Sequence, residues 1–234
     1  MAICTLCPRM CKADRAKGEK GFCLMTDEIV LSRAALHYWE EPCISGDRGS
    51  GTVFFSGCSL KCVYCQNRPV ALNQAGKAVS IERLAEIFCE LQEKKAHNIN
   101  LVTPTHYVPE IIEAVNISRQ KGLNIPIVYN SGGYENTDTI KLLDGIIDVY
   151  MPDFKYMSSS LSEKYSNASN YSEIVKEAIE AMVSQVGDLE FDEDGMMKKG
   201  VLIRHMLLPG CLDDSKEVMK YLYDTYKEKV YYSI

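Results

Sequence analysis

Three cysteines crowd one short stretch, Cys58-Ser-Leu-Lys-Cys62-Val-Tyr-Cys65, a C-x3-C-x2-C spacing that directly follows Thr52-Val-Phe-Phe-Ser-Gly57. Three thiolates on one loop can hold three irons of a cubane 4Fe-4S cluster, whose full closure takes four. The remaining iron is then free to bind something other than protein. Zinc is the plain alternative, but structural zinc prefers four closed ligands, usually as paired C-x2-C knuckles. A second thiol set lies upstream, in Cys4-Thr-Leu-Cys7-Pro-Arg-Met-Cys11 and in Gly21-Phe-Cys23, followed by Cys43 in Glu41-Pro-Cys43-Ile-Ser-Gly46. Cys4, Cys7, Cys11 and Cys23 make a candidate second metal site, for tetrahedral zinc or for a closed auxiliary cluster, and spacing does not separate the two. The alternative for these four is reduced, half-buried cysteines packing as small hydrophobes. Cys89, within a helical pattern, and Cys211, after Pro209-Gly210, have no partner in sequence and read as structural.

The elements that must position these thiols are legible as short apolar runs alternating with helical periods. The runs are Thr52–Ser56, Asn98–Val102, Ile125–Tyr129, Asp148–Met151, Val201–Leu208 and Val230–Ile234. Between them, Ser80 suits the N-cap of a helix with the face Ile81, Leu84, Ala85, Phe88 and Leu91. Pro109 suits a first helical position before Ile111, Ile112 and Val115. Ile174, Val175, Ala178, Ile179 and Met182 form another stripe, and Val218, Tyr221 and Leu222 a last one. Buried strands alternating with amphipathic helices imply parallel βαβ units, and six in a row imply an α/β fold of the partial (β/α)6 TIM-type barrel kind. An open Rossmann-like sheet is the runner-up, but no Gly-x-Gly-x-x-Gly follows any strand.

Residues 1–50 carry five cysteines and little periodicity, and read as an irregular, Cys-rich N-terminal appendage to a barrel domain over 51–234. Residues 188–200 are charged and glycine-bounded, and read as a solvated loop. Val230-Tyr-Tyr-Ser-Ile234 starts as a sixth strand and stops, so the expectation is a truncated barrel whose site is completed by residues past Ile234.

Composition bounds the partners. At 234 residues, 46% hydrophobic and 25% charged, the chain can bury one good core. Its net charge of -6, with no basic stripe and no aromatics interleaved with lysines, gives nucleic acid no footing. There is no apolar run of about 18 residues to span a membrane, and Met1-Ala-Ile-Cys-Thr-Leu lacks the pattern of a signal peptide. Ten cysteines in an unsecreted chain favour metal ligation over disulfides in a reducing compartment, which points to the cytoplasm of an organism or niche low in oxygen.

At Cys58, Cys62 and Cys65, with the aromatic Tyr64 just before the third cysteine, the sequence resembles the radical S-adenosylmethionine family. The likeness extends in order over five strand ends, from Thr52 to Ile234, toward the branch of glycyl-radical (pyruvate formate-lyase) activating enzymes. The upstream cysteines resemble most a less characterised activating-enzyme-like branch with an N-terminal Cys-rich segment. It implies that the open iron takes the amino and carboxylate groups of S-adenosylmethionine. By the same resemblance Tyr64 packs beside the adenine and Asn67 lies near the adenosyl group. Family members commonly carry Gly-Gly-Glu after the second strand; this chain has Val102-Thr-Pro-Thr-His106 instead, where Thr103 and Thr105 offer hydroxyls and His106 a ring nitrogen. Ser131-Gly132-Gly133-Tyr134-Glu135 follows the third strand, so it is not equated with that motif; Asn130 and Ser131 match by order the segment near the cosubstrate carboxylate. Tyr150-Met-Pro-Asp153-Phe-Lys155 resembles an Asp-Leu-Lys segment, with Asp153 and Lys155 on one side of an extended chain reaching the cosubstrate or a nearby cation. Ile203-Arg204-His205-Met-Leu-Leu-Pro209-Gly210 resembles an Ile-Arg…Pro-Gly signature, in which Arg204 neutralises a carboxylate or holds substrate while His205 faces away. Lys155 and Arg204 are the candidates closest to the chemistry.

The resemblance implies an enzyme that cleaves S-adenosylmethionine reductively to a 5'-deoxyadenosyl radical, with flavodoxin or ferredoxin as electron donor. The radical then takes hydrogen from a glycine of a partner such as pyruvate formate-lyase. Two rivals stand beside this: a radical enzyme with a different small-molecule or protein substrate, and a non-catalytic metal-binding or electron-transfer protein.

Overall fold

The computed structural model describes residues 3–234; Met1 and Ala2, part of the stretch read above for a leader, lie outside the described residues. In chain order the elements are β1 (Ile29–His37), α1 (Pro42–Ser45), β2 (Ser50–Phe55), α2 (Arg68–Ala71), β3 (Lys77–Val79), α3 (Ile81–Glu93), β4 (Ile99–Val102), α4 (Val108–Gln120) and β5 (Ile127–Ser131). Then come α5 (Thr137–Leu142), β6 (Val149–Pro152), α6 (Ser159–Ser166), α7 (Tyr171–Val186), β7 (Glu190–Phe191), β8 (Met197–Arg204), α8 (Leu212–Tyr226) and β9 (Tyr231–Ser233). Among the described residues no helix is long and apolar enough to cross a membrane.

The strands form one mixed sheet in the order β3-β1-β2-β4-β5-β6-β8-β7, with β9 also on β8. Within it β2, β4, β5, β6, β8 and β9 run parallel in chain order. Helices make the crossovers, as parallel neighbours require. Ser80 caps α3 as its sequence predicts, its hydroxyl accepting from the Arg83 amide. The face Leu84, Ala85, Phe88 and Leu91 is buried, and truncating one such leucine costs about 2–5 kcal/mol.

Side chains alternate across each strand, so the sheet has two faces. Val53, Phe55, Ile99, Leu101, Ile127, Tyr129, Tyr150, Val201 and Ile203 pack under the helices in the larger core. On the other face Val128, Val149, Met151 and Leu202 pack against Cys43 and Ile44 of α1. Two residues further along that second face the strands turn polar: Asn130 follows Val128, Asp153 follows Met151, and Arg204 follows Leu202. The apolar part closes the floor, and the polar part stands at the C-terminal strand ends.

Several elements depart from the sequence reading. Residues 29–50 are not irregular: β1 pairs antiparallel with both β2 and β3. Residues 188–200 contain a hairpin, with β7 antiparallel to the start of β8. The third parallel strand reaches two residues past Tyr129, to Ser131, and Val108 precedes Pro109 in α4.

Candidate active site

At the C-terminal strand ends opens a cavity of about 510 Å³, within the range of small-molecule sites. Cys58, Cys62 and Cys65 lie on its wall, and no other cysteine lines it among the described residues. The chain leaves β2 through Gly57, at φ +87°, where an added Cβ would fall 2.4 Å from Met25 Cγ and 2.6 Å from the Cys23 carbonyl. Only glycine fits that turn. Burial pushes the Cys58 thiol up to about 11, helped by the charges of Cys62 and Cys65, and raises Cys65 as well. The three sulfurs thus sit within electrostatic reach of one another. The backbone amide of Leu60 donates to Cys58 Sγ at 3.4 Å.

Among the described residues no three His, Cys, Asp or Glu side chains are drawn tightly enough together to hold a single metal ion. A cubane takes one thiolate per iron corner, so its ligands stand further apart than those around one ion. Three thiols on one wall, an amide donating to Cys58 and the adjoining cavity fit an open cluster.

The polar residues opposite form a network. Asp153 accepts from Lys155 Nζ at 2.5 Å and from Arg204 Nε at 3.0 Å. Burial alone raises its carboxyl, but Arg204 and Lys155 hold it below the ordinary aspartate value. Burial lowers and Asp153 more than restores Lys155, which ends above its usual value. Arg204 also donates to Glu40 at 3.1 Å and to Asn130 Oδ1 at 2.7 Å, so all three of its nitrogens are engaged. Glu40 is raised by burial, with Arg204 opposing.

Of the residues expected near the cosubstrate, Tyr64, Asn67, Thr103, Thr105, Asn130, Ser131, Asp153, Lys155 and Arg204 line this cavity, and His106 does not. Two carry local detail invisible in sequence. Thr103 sits at φ +58°, a strained conformation for a β-branched residue. Thr105 gives its hydroxyl to Glu135 at 2.8 Å. Glu135 also accepts from Tyr129 and is fully buried, and burial raises its carboxyl to about 7. His106 is directed away from the cavity, its Nε2 at 2.8 Å from the Ser56 carbonyl. His205, expected to face away, lines the cavity instead, with Nδ1 2.6 Å from the Phe154 carbonyl.

Sequence reasoning missed three contributors: Arg9, Ser166 and Glu41. Arg9 Nε donates to the Ser59 carbonyl at 2.7 Å and its other nitrogens reach the Ser166 and Asn167 carbonyls, tying the N-terminal segment to the cysteine loop. Ser166 donates to Cys62 Sγ. Glu41 lines the cavity with Oε2 lacking a hydrogen-bond partner. Arg9 and Glu41 stand beside the upstream cysteines, Arg9 between Cys7 and Cys11 and Glu41 two residues before Cys43, while Ser166 stands in no motif.

In the N-terminal set, Cys7 and Cys23 are buried, Cys4 is half-buried and Cys11 exposed. Burial pushes Cys7 up to about 12, with Cys23 and Cys4 adding to it, and Cys23 is raised likewise beside Cys4 and Cys11. The Arg9 amide opposes the shift at Cys7 and the Met25 amide that at Cys23.

The chain matches the Radical SAM superfamily over residues 52–222, and belongs to it. The matched segment holds Cys58, Cys62 and Cys65 and the strand ends through Arg204. The chain is 31% identical over 219 residues to an uncharacterized protein of Methanocaldococcus jannaschii, covering 90% of this chain and 58% of that relative's length. It also aligns with the crystal structure of Streptococcus suis SuiB, at 12% identity and a TM-score of 0.43, over 79% of this chain and 47% of SuiB.

Proposed function

We propose that Cys58, Cys62 and Cys65 hold the cluster, and that the enzyme activates a glycyl-radical partner. The observation that carries the first part is the presence of these three thiols, without a fourth cysteine, on the wall shared with Asn130, Asp153, Lys155 and Arg204. When bound, the cluster and S-adenosylmethionine supply an electron, a broken carbon–sulfur bond and a 5'-deoxyadenosyl radical. The chain's own residues bind and orient. Lys155 keeps two Nζ donors beyond its bond to Asp153, so it is suited to the carboxylate of the cosubstrate. Arg204, engaged on all sides, fixes Asp153 and Asn130 rather than reaching outward. Asp153 and the nearby Glu40 and Glu41 outnumber the two cations, which favours a sulfonium. Tyr64, edge-on to Tyr156 and Tyr165, gives adenine an apolar wall.

The six parallel strands are taken as a partial (β/α)6 barrel whose open mouth admits an extended loop of the partner. The order of strand-end segments from Asn67 to Gly210 supports the activase reading; a different small-molecule or protein substrate is the second reading, kept by the departure at Thr103-Pro-Thr105. Cys4, Cys7, Cys11 and Cys23 are proposed as a second metal site. Among the described residues no three of them are close enough for one zinc ion, which favours an auxiliary cluster over zinc. The burial of Cys7 and Cys23 supports a structural role. A flavodoxin or ferredoxin in a reducing cytoplasm is the expected donor.

Anaerobic reconstitution with dithionite and S-adenosylmethionine tests the chemistry, with 5'-deoxyadenosine expected and its absence contradicting it. Electron paramagnetic resonance of a candidate partner tests the target: a glycyl doublet supports the activase, and turnover without one favours the second reading. Iron and zinc analysis of the reconstituted protein tests the N-terminal site, which fails if only four irons and no zinc are found.

A further inference from the structure

Ser166, the last residue of α6, is 1% exposed and donates its hydroxyl to Cys62 Sγ at 2.9 Å, across 104 residues of chain. Behind it the Tyr156 hydroxyl lies 2.8 Å from Ser166 Oγ, and the Tyr64 hydroxyl bonds Tyr156 in turn. A ligating sulfur is a thiolate, which only accepts, and that fixes the direction of the whole file. Ser166 donates to Cys62, Tyr156 to Ser166, and Tyr64 to Tyr156. Three hydroxyl dipoles therefore point at one sulfur, each polarising the next.

The file is held from both ends. The Ser166 and Asn167 carbonyls accept from Arg9, and the Tyr165 carbonyl accepts from the Val63 amide at 2.9 Å, so the end of α6 is fastened to the cysteine loop. Asn167 caps the helix in the left-handed conformation, at φ +50°. At the far end Tyr64 is part of the cavity wall.

We propose that Ser166 is a positioning residue that raises the reduction potential of the centre held by Cys62, with Tyr156 and Tyr64 as its polarising relay. This rests on the cluster being bound at Cys58, Cys62 and Cys65. A hydrogen bond to a ligand sulfur stabilises the extra negative charge of the reduced centre more than it stabilises the oxidised one. Removing it makes reduction harder.

The test is an anaerobic redox titration, followed by electron paramagnetic resonance, on the reconstituted full chain with iron assayed alongside. Ser166→Ala is expected to keep wild-type iron content and to shift the midpoint to a more negative value. At the wild-type midpoint its reduced-to-oxidised ratio falls several-fold, tenfold being 59 mV for a one-electron couple. Tyr156→Phe shifts the midpoint in the same direction by less, and Tyr64→Phe by least. A midpoint unchanged in Ser166→Ala, with iron retained, overturns the inference. If that variant does not keep its cluster, Tyr156→Phe decides, since Ser166 stays in place: a wild-type midpoint there overturns it equally. A wild-type protein that takes up no cluster overturns the underlying assignment as well, so the two failures are told apart by iron content.

Discussion

The two thiol sets are alike in being partly buried and unlike in their surroundings. In both, burial raises the thiols, Cys58 and Cys65 on the loop and Cys7 and Cys23 upstream. The difference lies in what faces them. The loop set has three cysteines and looks across a cavity to Asp153, Lys155 and Arg204. The N-terminal set has four, and none of them lines that cavity. Three thiols beside a cavity leave room for chemistry; the upstream four, with Cys7 and Cys23 buried and Cys11 exposed, border no such volume. Arg9 joins the two, since it lies between Cys7 and Cys11 in sequence and clamps Ser59 and the end of α6.

The sharpest way to break this contrast is by thiol deletion. Cys58→Ala, Cys62→Ala or Cys65→Ala is expected to abolish 5'-deoxyadenosine formation to the limit of detection. Cys7→Ala or Cys23→Ala is expected to lower metal content and stability while leaving the open-cluster resonance and its response to S-adenosylmethionine in place. Loss of that response in the N-terminal variants would erase the distinction.

The next effect is at Asp153. Asp153→Asn leaves Lys155 and Arg204 without their shared counter-charge in a half-buried site, and is expected to cost about 2–4 kcal/mol in denaturant unfolding. Lys155→Ala, which removes one cosubstrate contact and leaves Asp153 paired with Arg204, should raise the KM for S-adenosylmethionine by roughly tenfold or more. An unchanged KM removes Lys155 from the site.

A pH effect of about 3 kcal/mol is expected from Glu135, whose carboxyl is raised from 4.5 to about 7 by burial. The folded state binds the proton more tightly than the unfolded state, so this stability is fully present below pH ~4.5 and is lost as pH rises through about 7. Glu135→Gln should flatten that slope in chemical denaturation measured across the window. The smallest effect is at Arg9: Arg9→Ala frees three carbonyls at the junction of the two thiol regions and should cost about 1–2 kcal/mol.

The parallel strands were legible because strands buried on both faces carry dense apolar runs, as in Ile127-Val128-Tyr129 and Val201-Leu202-Ile203. The cysteine loop was legible because its three thiols are local in sequence. β1 was not: Arg33 and Ala34 are exposed, and a register irregularity between Leu31 and Arg33 breaks its alternation. The hairpin over 190–199 was hidden because Glu190 and Phe191 of β7 are both exposed and the turn between its strands is charged. Glu135 was visible, but its burial beneath Thr105 depends on two strand ends meeting. Ser166 and Arg9 carry no signal at all, since each acts on partners about 50 to 160 residues away through a single hydroxyl or guanidinium.

The open corner of the cluster can be tested directly by electron paramagnetic resonance of the reduced, reconstituted protein before and after addition of S-adenosylmethionine. A 4Fe-4S resonance that changes on addition in the wild type, and no such change in Cys62→Ala, is the predicted result. A resonance indifferent to S-adenosylmethionine in the wild type would mean that no iron is left for it, and would contradict the account at its base.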